Sequence, residues 1–443
     1  MTRVVVVGGG LAGLAASASL GEAGFRVELL EARGFLGGRA ASYPLPGSTG
    51  EIIDNCQHVL LGSCVNLLDL YRRLEVLGRI RFHDEIPFLE PGGRLSILKP
   101  GRLPPPLHFS GSFAGLRFLS AADKLSVSRG LAALWFERRR RGDLDRITML
   151  DWLRQKGQTP RAIERFWRQV LVSAVNEELD RMAAAHGFQV FWLGFLARRD
   201  AARIGLPAGP LGELYDSDAL RRLARVEIRM RAAVERLLVA DGVVRGAAAA
   251  GERFEGDYYI CAVPFERLPA MIPELGLDLS GWEHSPIIGI HLWFDRPVTA
   301  LPFAALLDRT MQWLFNKRIA GQPGQYIQLV VSASRGLVET PRAEVIDLAV
   351  RELAEFLPAA RHARLEKAHV VKEVRATFSA RPGMEARRPP ARTRFPNLFL
   401  AGDWTRSGWP ATMEGAVRSG YLAAEAVAAA AGRPQRFLQP DIA

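Results

Sequence analysis

The first thirty residues alternate between a valine-rich run, a glycine-rich break and a run of small apolar residues. Residues 2–7 end in four consecutive valines, which predicts a strand buried on both faces. Small residues at 11–23 predict a helix that ends at Gly24. A second apolar run at 25–30 predicts another strand, which finishes at Glu31. Together they predict a strand, helix, strand unit about thirty residues long.

Apolar spacing predicts further helices at residues 60–77, 113–135, 148–200, 341–357 and 413–431. It predicts further strands at residues 226–230, 236–240, 243–248, 258–263, 287–294, 326–331 and 395–401. Because strands that suit a nucleotide-binding sheet occur at the start, in the middle and near the end, we expect an α/β fold with a discontinuous Rossmann-type domain. That domain is predicted at residues 1–90, 205–280 and 390–443. An inserted α+β substrate domain with a helical part is predicted at residues 91–204 and 281–389.

Charge adds a question about partners. The 443 residues include 58 Lys and Arg against 47 Asp and Glu, a formal net charge of +11. A balance this basic favours a polyanionic partner, either nucleic acid or an anionic lipid surface, although an arginine-rich coding bias produces the same count. The apolar content of 48% excludes a disordered or collagen-like chain.

Cysteine usage and the N-terminal run indicate the compartment. Cys56, Cys64 and Cys261 have neither disulfide-framework nor metal-ligand spacing, so we expect a reduced cytoplasmic protein without a metal site. The uncharged run at 4–21 has the outline of a signal peptide, but its glycines favour a different purpose. We find no other uncharged apolar stretch of about 20 residues that suits a membrane span.

Gly8, Gly10 and Gly13 directly follow the first predicted strand and open the helix. In this spacing the first glycine permits a tight turn, the second leaves room for a pyrophosphate, and the third lets helix and strand pack closely. The diphosphate then lies on the free N–H groups of the helix N-terminus. Glu31 suits the two hydroxyls of an unphosphorylated ribose. The candidate dinucleotide-binding residues are Gly8, Gly10, Leu11, Ala12, Gly13, Glu31, Ala32 and Arg33.

Two later segments extend this site. Residues 36–39 (LGGR) supply a glycine turn and Arg39, whose guanidinium can reach phosphates or a ring edge. Residues 397–427 predict a buried strand that delivers Asp403, followed by a helix whose N-terminus stabilises negative charge on a bound ring. The Asp403 carboxylate suits a ribityl or ribose hydroxyl. The candidate cofactor residues of these segments are Gly37, Gly38, Arg39, Gly402, Asp403, Thr412, Met413, Glu414 and Ala416.

This set of motifs resembles the FAD-dependent amine oxidase and phytoene desaturase superfamily, and it runs from the first residues nearly to the last. Residues 252–264 (ERFEGDYYICAVP) resemble the superfamily's central return to the FAD domain. The resemblance implies FAD extended across the Rossmann-type domain, with backbone of Val234 against adenine, and an apolar tunnel in the inserted domain. Residues 51–64 (EIIDNCQHVLLGSC) and 312–316 (QWLFN) are most similar to the hydroxysqualene dehydroxylases of bacterial hopanoid synthesis.

The narrower resemblance implies conversion of hydroxysqualene to squalene, in which a protonated allylic hydroxyl leaves as water and reduced FAD supplies a hydride. An external electron donor is then required. Either His58 or Asp54 is the proton donor on this interpretation; the alternative is that residues 54–58 only hydrogen-bond the flavin or fold the loop. For Trp409, a packing role is an equal alternative to substrate contact. The catalytic candidates are His58, Asp54 and Gln57, and the substrate-binding candidates are Cys56, Trp313 and Trp409.

An apolar isoprenoid substrate leaves a bilayer, so a peripheral attachment to an anionic membrane is expected. Residues 113–141 combine helical apolar spacing with four terminal arginines, which suits anionic lipid; a solvated helix end is the alternative. Other functions stay open: oxidative carotenoid-type desaturation, amine oxidation, and a basic flavoprotein that binds lipid or nucleic acid without catalysis. Because the arginines are scattered and no nucleic-acid-reading motif occurs, no nucleic-acid partner is expected.

Overall fold

The computed structural model describes the chain except for residues 46, 49, 216–219, 221–225, 318–323 and 443. The strands are β1 (Arg3–Val7), β2 (Arg26–Glu31), β3 (Ser42–Pro44), β4 (Ile52–Asp54), β5 (Leu60–Leu61), β6 (Ile80–His83), β7 (Ile86–Leu89), β8 (Leu95–Leu98), β9 (Ile204–Pro207), β10 (Val226–Met230), β11 (Val234–Ala240), β12 (Val243–Ala249), β13 (Glu252–Phe254), β14 (Tyr258–Cys261), β15 (His284–Phe294), β16 (Phe303–Leu306), β17 (Trp313–Asn316), β18 (Gln325–Ser332), β19 (Leu365–Phe378) and β20 (Leu398–Leu400).

The α-helices are α1 (Leu11–Glu22), α2 (Val65–Arg73), α3 (Ser110–Ala114), α4 (Ala121–Glu137), α5 (Met149–Gln155), α6 (Pro160–Ala162), α7 (Gln169–Val175), α8 (Ala184–Phe191), α9 (Leu268–Met271), α10 (Arg342–Phe356), α11 (Met384–Arg387) and α12 (Met413–Ala430).

A five-stranded parallel sheet in the order β10-β2-β1-β14-β20 takes its strands from all three predicted segments of the Rossmann-type domain. Residues 4–6 have no solvent exposure and pair with strands on both sides, as their valine run predicts. Helices α1 and α12 pack so closely that a Cβ on Gly420 would lie 2.2 Å from the carbonyl oxygen of Ala12. The predicted strand, helix, strand unit is therefore present.

A second sheet has seven strands in the order β19-β15-β18-β17-β16-β7-β8. Its pairs are antiparallel except for β16 with β7. Buried residues of α10 such as Val345 and Leu353 join Ile288 and Ile290 of β15 in one core. β7 belongs to this sheet, although residues 86–89 lie inside the first segment predicted for the Rossmann-type domain, 1–90. The apolar run at 86–89 gives no sign of which sheet it joins.

Helices α3 to α8 form a layer around an aromatic core, in which the Trp167 and Phe191 ring centroids lie 4.6 Å apart. The helix predicted at 113–135 is two helices. Ser120 begins the second, since its side chain accepts from the Asp123 backbone while the Asp123 carboxylate accepts from the Ser120 backbone. The helix predicted at 60–77 begins only at Val65, because β5 pairs with β9.

No helix within the described ranges is long and apolar enough to cross a membrane. The same part of the chain contains no cluster of three or more His, Cys, Asp or Glu side chains suited to a metal ion. The three cysteines are free thiols.

Candidate active site

A cavity of about 800 Å³ lies where the parallel sheet, the seven-stranded sheet and the helical layer meet. Its wall includes the predicted cofactor residues Gly8, Gly10, Leu11, Ala12, Glu31, Ala32, Arg33, Gly37, Gly38, Arg39, Val234, Gly402, Asp403, Thr412, Met413, Glu414 and Ala416. The predicted residues Cys56, Gln57, His58, Trp313 and Trp409 line it as well. Gly13 and Asp54 lie behind the wall. One cavity thus brings together segments from the start, the middle and the end of the chain.

Neighbouring atoms approach the glycine-rich turn so closely that side chains do not fit there. The turn therefore presents bare backbone to a ligand. Gly8 has φ = 107°, and a Cβ there would lie 2.5 Å from the carbonyl oxygen of Ala262. A Cβ on Gly13 would lie 1.9 Å from the carbonyl oxygen of Gly8. Helix α1 starts after Gly10, and no described side chain caps its first turn. The first N–H groups of α1 therefore remain available to an anion.

Glu31 fixes the turn from the end of β2. Its Oε2 accepts from the backbone N of Gly9 at 2.7 Å, and its Oε1 accepts from the backbone N of Arg33 at 2.7 Å. An ionised carboxylate offers about four lone-pair directions, so about two remain for ribose hydroxyls.

Arg39 and Asp403 contact each other across the cavity wall. Arg39 Nη2 lies 2.6 Å from Asp403 Oδ1, and Nη1 donates to the carbonyl oxygen of Ala376 at 2.6 Å. Burial works against the charge of Arg39, but Asp403 outweighs it and holds the pKa of Arg39 above its ordinary value. The pair therefore joins the LGGR turn to the segment after β20, where the sequence had suggested two separate contacts to the cofactor.

The N-terminus of α12 faces the cavity. Thr412 begins the helix, and its Oγ1 accepts from the backbone N of Gly415 at 3.0 Å. The buried Glu414 carboxylate accepts from the backbone N of Asn66 at 3.1 Å and of Leu67 at 2.8 Å. Burial raises the pKa of Glu414 to about 7, against the effect of these hydrogen bonds. Glu414 thus joins the N-termini of α12 and α2, a role that its motif does not indicate.

Asp54, at the end of β4, is buried against Lys317. Lys317 Nζ lies 2.7 Å from Asp54 Oδ2 and 2.8 Å from Gln57 Oε1. Ser42 Oγ and the backbone N of Leu211 donate to Asp54 Oδ1. Burial alone would raise the pKa of Asp54, but Lys317 and these hydrogen bonds lower it below its ordinary value. Lys317 and these hydrogen bonds thus favour the ionised form of Asp54, which suits a positioning role in this loop; its role as the proton donor stays a prediction.

His58 lies on the same loop, at the cavity wall. Its Nδ1 is 2.8 Å from the carbonyl oxygen of Cys56. A carbonyl only accepts, so Nδ1 carries a proton and Nε2 is left for a ligand or a second proton. Burial lowers the pKa of His58, which favours the neutral ring. Of the two catalytic candidates that line the cavity, His58 has a ring nitrogen that can take up and release a proton, whereas the amide of Gln57 can only donate and accept hydrogen bonds.

The substrate-binding candidates also have defined partners. Trp313 Nε1 donates to Ser173 Oγ at 2.5 Å. Burial raises the pKa of the Cys56 thiol to about 12, so Cys56 is an uncharged wall residue and not a nucleophile.

Residues 434–442, which follow α12, contact Trp409. We call them the C-terminal tail. Trp409 Nε1 donates to Asp441 Oδ1 at 3.1 Å, and Arg418 Nη1 lies 2.8 Å from the same oxygen. Ile442 is buried in one cluster with Trp409. The C-terminal tail therefore supports part of the cavity wall.

Two residues of the site carry no clear signal in the sequence. Lys317 directly follows the QWLFN segment, but a single lysine has no spacing that marks it. Trp404 lines the cavity, and its Nε1 donates to the carbonyl oxygen of Val263 at 2.9 Å. Its position next to Asp403 in the third motif was the only available indication.

The arrangement fits FAD. The uncapped N-terminus of α1 would hold the diphosphate, Glu31 the ribose hydroxyls, and the N-terminus of α12 the ring system. Gly10 and Gly38 present bare backbone to this cradle, and a Cβ on Gly38 would lie 3.0 Å from Gly10 Cα. Bound FAD supplies hydride transfer at its ring end.

Comparison with known proteins agrees with this fit. The chain is 26% identical over 471 residues to the 15-cis-phytoene desaturase of an Oncidium hybrid cultivar, covering 96% of this chain and 77% of that protein. It is 26% identical over 486 residues to a probable zeta-carotene desaturase of Synechococcus elongatus, covering 96% and 98%. Among solved structures, cyclohexylamine oxidase from Brevibacterium oxydans has the same fold, with a TM-score of 0.67 at 16% identity and coverage of 98% and 100%.

The sequence profile of the family described as flavin containing amine oxidoreductase matches residues 11–428. That span runs from the start of α1 to the last turn of α12 and includes every strand of both sheets except β1. The chain therefore belongs to the flavin-containing amine oxidoreductase family and is an FAD-dependent oxidoreductase.

Proposed function

We propose that this oxidoreductase reduces hydroxysqualene to squalene. The observation that carries the proposal is the contact between the first segment with the narrower resemblance, 51–64, and the residue that directly follows the second, 312–316. Lys317, which directly follows the second segment, pairs with Asp54 and Gln57 of the first. Lys317, Asp54 and Gln57 thus form one polar cluster at the cavity wall.

The reaction balances with one proton and one hydride. The substrate hydroxyl takes a proton, the C–O bond breaks, and water leaves an allylic cation. FAD held by the glycine-rich turn, Glu31 and the N-terminus of α12 would supply, in its reduced form, the hydride for the new C–H bond, and an external two-electron donor would supply the electrons. The chain has to supply the proton and keep bulk water away from the cation.

His58 is the proposed proton donor, through Nε2. The Cys56 carbonyl fixes the ring orientation by accepting from Nδ1. Asp54 favours the protonated form of His58, and Lys317 and Arg39 oppose it. The ring is therefore neutral at rest, takes a proton from solvent, and passes it to the hydroxyl as the substrate fills the cavity.

The cavity wall beyond these residues suits a hydrocarbon chain. Phe88, Val170, Phe195, Val330 and Phe378 line the part formed by the seven-stranded sheet and the helical layer. Apolar surface of this kind gains free energy when it contacts an isoprenoid chain instead of water, roughly 25 cal/mol for each Å².

The test is an anaerobic assay with hydroxysqualene and dithionite-reduced enzyme in D₂O, followed by mass spectrometry. Because the flavin N5 proton exchanges with solvent, the expected product is squalene with one deuterium on carbon. Free reduced FAD without protein is the control. Absence of squalene refutes the proposal, and unlabelled squalene refutes hydride transfer from the flavin.

Oxidative desaturation of a carotenoid-type substrate is the second candidate, and the 26% identity to two desaturases over 96% of the chain favours it. It removes hydrogen instead of adding it. Oxidised enzyme with phytoene should then form a longer conjugated chromophore, which absorbance detects. Testing the same enzyme preparation in both assays decides whether the enzyme reduces or oxidises its substrate. Amine oxidation has support from the description of the family and from the fold of solved structures such as cyclohexylamine oxidase.

A further inference from the structure

The helical layer contains a second cavity of about 350 Å³, lined by α4, by the segment 106–113 that leads into α3, and by residues of β8, α7 and α8 and the turns beside them. Apart from Ser110 and Ser128, its lining is apolar. It shares Leu98, Val170 and Phe195 with the large cavity. We call it the vestibule, since it lies between the large cavity and the surface.

The surface around the vestibule exposes large apolar side chains. Four such residues that the described chain leaves more than half exposed lie within a stretch of 34 positions: Leu103 at 51%, Leu107 at 57%, Leu125 at 53% and Phe136 at 62%. Leu107 and Phe136 also line the vestibule. Clustered exposure of this kind marks a surface that is covered in use.

The same surface is basic and has almost no exposed acid. Residues 91–122 contain no Asp or Glu. On α4, Asp123 is buried in its capping interaction, and the exposed positions are Ala121, Ala122, Leu125, Ser128, Arg129, Ala132 and Phe136. Exposed Arg139 and Arg140 follow directly. We call this apolar and basic surface, from Leu103 to Arg140, the docking face.

We infer that the docking face rests on an anionic lipid bilayer and that the vestibule is the entrance through which an apolar substrate passes from the bilayer to the large cavity. Apolar side chains gain by entering the interfacial region, and arginines gain by lying beside anionic headgroups. A protein partner would need an acidic and apolar surface to match, and a second copy of this basic face would repel it. The identity of the passing molecule rests on the proposed function; the contact with lipid does not.

Co-sedimentation of the FAD-loaded protein with vesicles tests the lipid contact without any substrate. We expect binding to vesicles that contain phosphatidylglycerol, weaker binding to phosphatidylcholine alone, and a loss of binding at high salt. Binding that ignores lipid charge and salt, or no binding to either vesicle, overturns the inference.

Variants locate the contact. Leu125 and the two exposed arginines lie outside the vestibule lining. We expect Arg139→Gln with Arg140→Gln to weaken binding about fivefold for each arginine, and Leu125→Ser to weaken it about tenfold. Val374→Ser is the matched control, because Val374 is 49% exposed on β19, away from the docking face. Equal loss in the control, or no loss in the other variants, overturns the location.

A two-format assay tests the entrance. With substrate in vesicles, the Leu125→Ser and arginine variants should turn over more slowly in proportion to their lost binding, whereas substrate in detergent micelles should restore the wild-type rate. If the variants are equally slow in both formats, the vestibule is not a bilayer entrance. Light scattering tests whether a second copy of the chain covers the docking face instead. A concentration-dependent dimer that Leu125→Ser abolishes would assign the docking face to a second copy and overturn the inference.

Discussion

The glycine-rich turn after β1 and the polar loop after β4 face the same cavity, but different forces hold them. At the turn, backbone atoms approach so closely that added carbon does not fit, as at Gly13. At the loop, side-chain charges do the positioning, and Lys317 reaches Asp54 from 263 residues away. We therefore expect the turn to be intolerant of any added atom and insensitive to pH, and the loop to tolerate changes that preserve charge.

The sharpest test of the turn is Gly13→Ala. A helical Gly-to-Ala change ordinarily gains about 1 kcal/mol, but here the new Cβ would lie 1.9 Å from the carbonyl oxygen of Gly8. We expect protein without bound FAD, measured by the flavin absorbance per protein. Gly78→Ala is the control, since nothing lies within 4 Å of a Cβ at Gly78. A fully yellow Gly13→Ala protein would contradict the cradle.

The loop is tested by His58→Gln. Loss of a positioned proton donor slows turnover by about 10² to 10⁴, and FAD binding should persist. Because the pKa of His58 is lowered by burial, the wild-type rate should fall as pH rises above that pKa, following the protonated fraction. The variant should lack this slope in a pH-rate profile. A variant with the wild-type profile would exclude His58 as the donor.

Lys317→Met separates charge from shape in the loop. It leaves the buried Asp54 carboxylate without its cation, which costs about 3 kcal/mol in the free energy of unfolding. Adding Asp54→Asn should recover most of that loss, because the amide oxygen still accepts from Ser42 and Leu211. Urea unfolding of the single and double variants measures both effects. Independent, additive losses would show that the pair does not act as a unit.

Glu414 should make the stability of the folded protein depend on pH. Its pKa is raised to about 7 in the folded protein, so the folded state holds the proton more tightly than the unfolded chain does. Stability relative to Glu414→Gln should therefore fall as pH rises from about 5 to 7, by about 2 kcal/mol. Denaturant titrations at both pH values measure the difference. A constant difference would mean that Glu414 is ionised throughout.

The smallest expected effect belongs to a local feature outside the large cavity. Ser120→Ala removes the capping interaction with Asp123 at the start of α4 and should cost about 1 kcal/mol of stability. Flavin content should not change. Thermal unfolding measures the change in stability, and flavin absorbance measures the cofactor content. A loss of flavin would show that α4 is coupled to the cofactor-binding residues.

The same contrast explains what the sequence could predict. The cofactor-binding segment at the start of the chain could be predicted from the sequence because each part of its motif is local. Those parts are four valines, a glycine spacing and an acidic residue about twenty positions further on. The Asp54 to Lys317 pair was not, since it depends on how β17 approaches β4 across two sheets. The Arg39 to Asp403 pair and the contact of Glu414 with α2 were hidden for the same reason. Membership of β7 in the second sheet also depends on pairing that no local pattern encodes.

The C-terminal tail has a practical consequence for anyone preparing the protein. Asp441 holds Trp409 and Arg418, and Ile442 is buried, so an affinity tag fused there would press on the cavity wall. Met1 is 77% exposed, before β1 begins. Tags, fluorophores and surface anchors therefore belong at the N-terminus, where they leave both the cofactor cradle and the tail undisturbed.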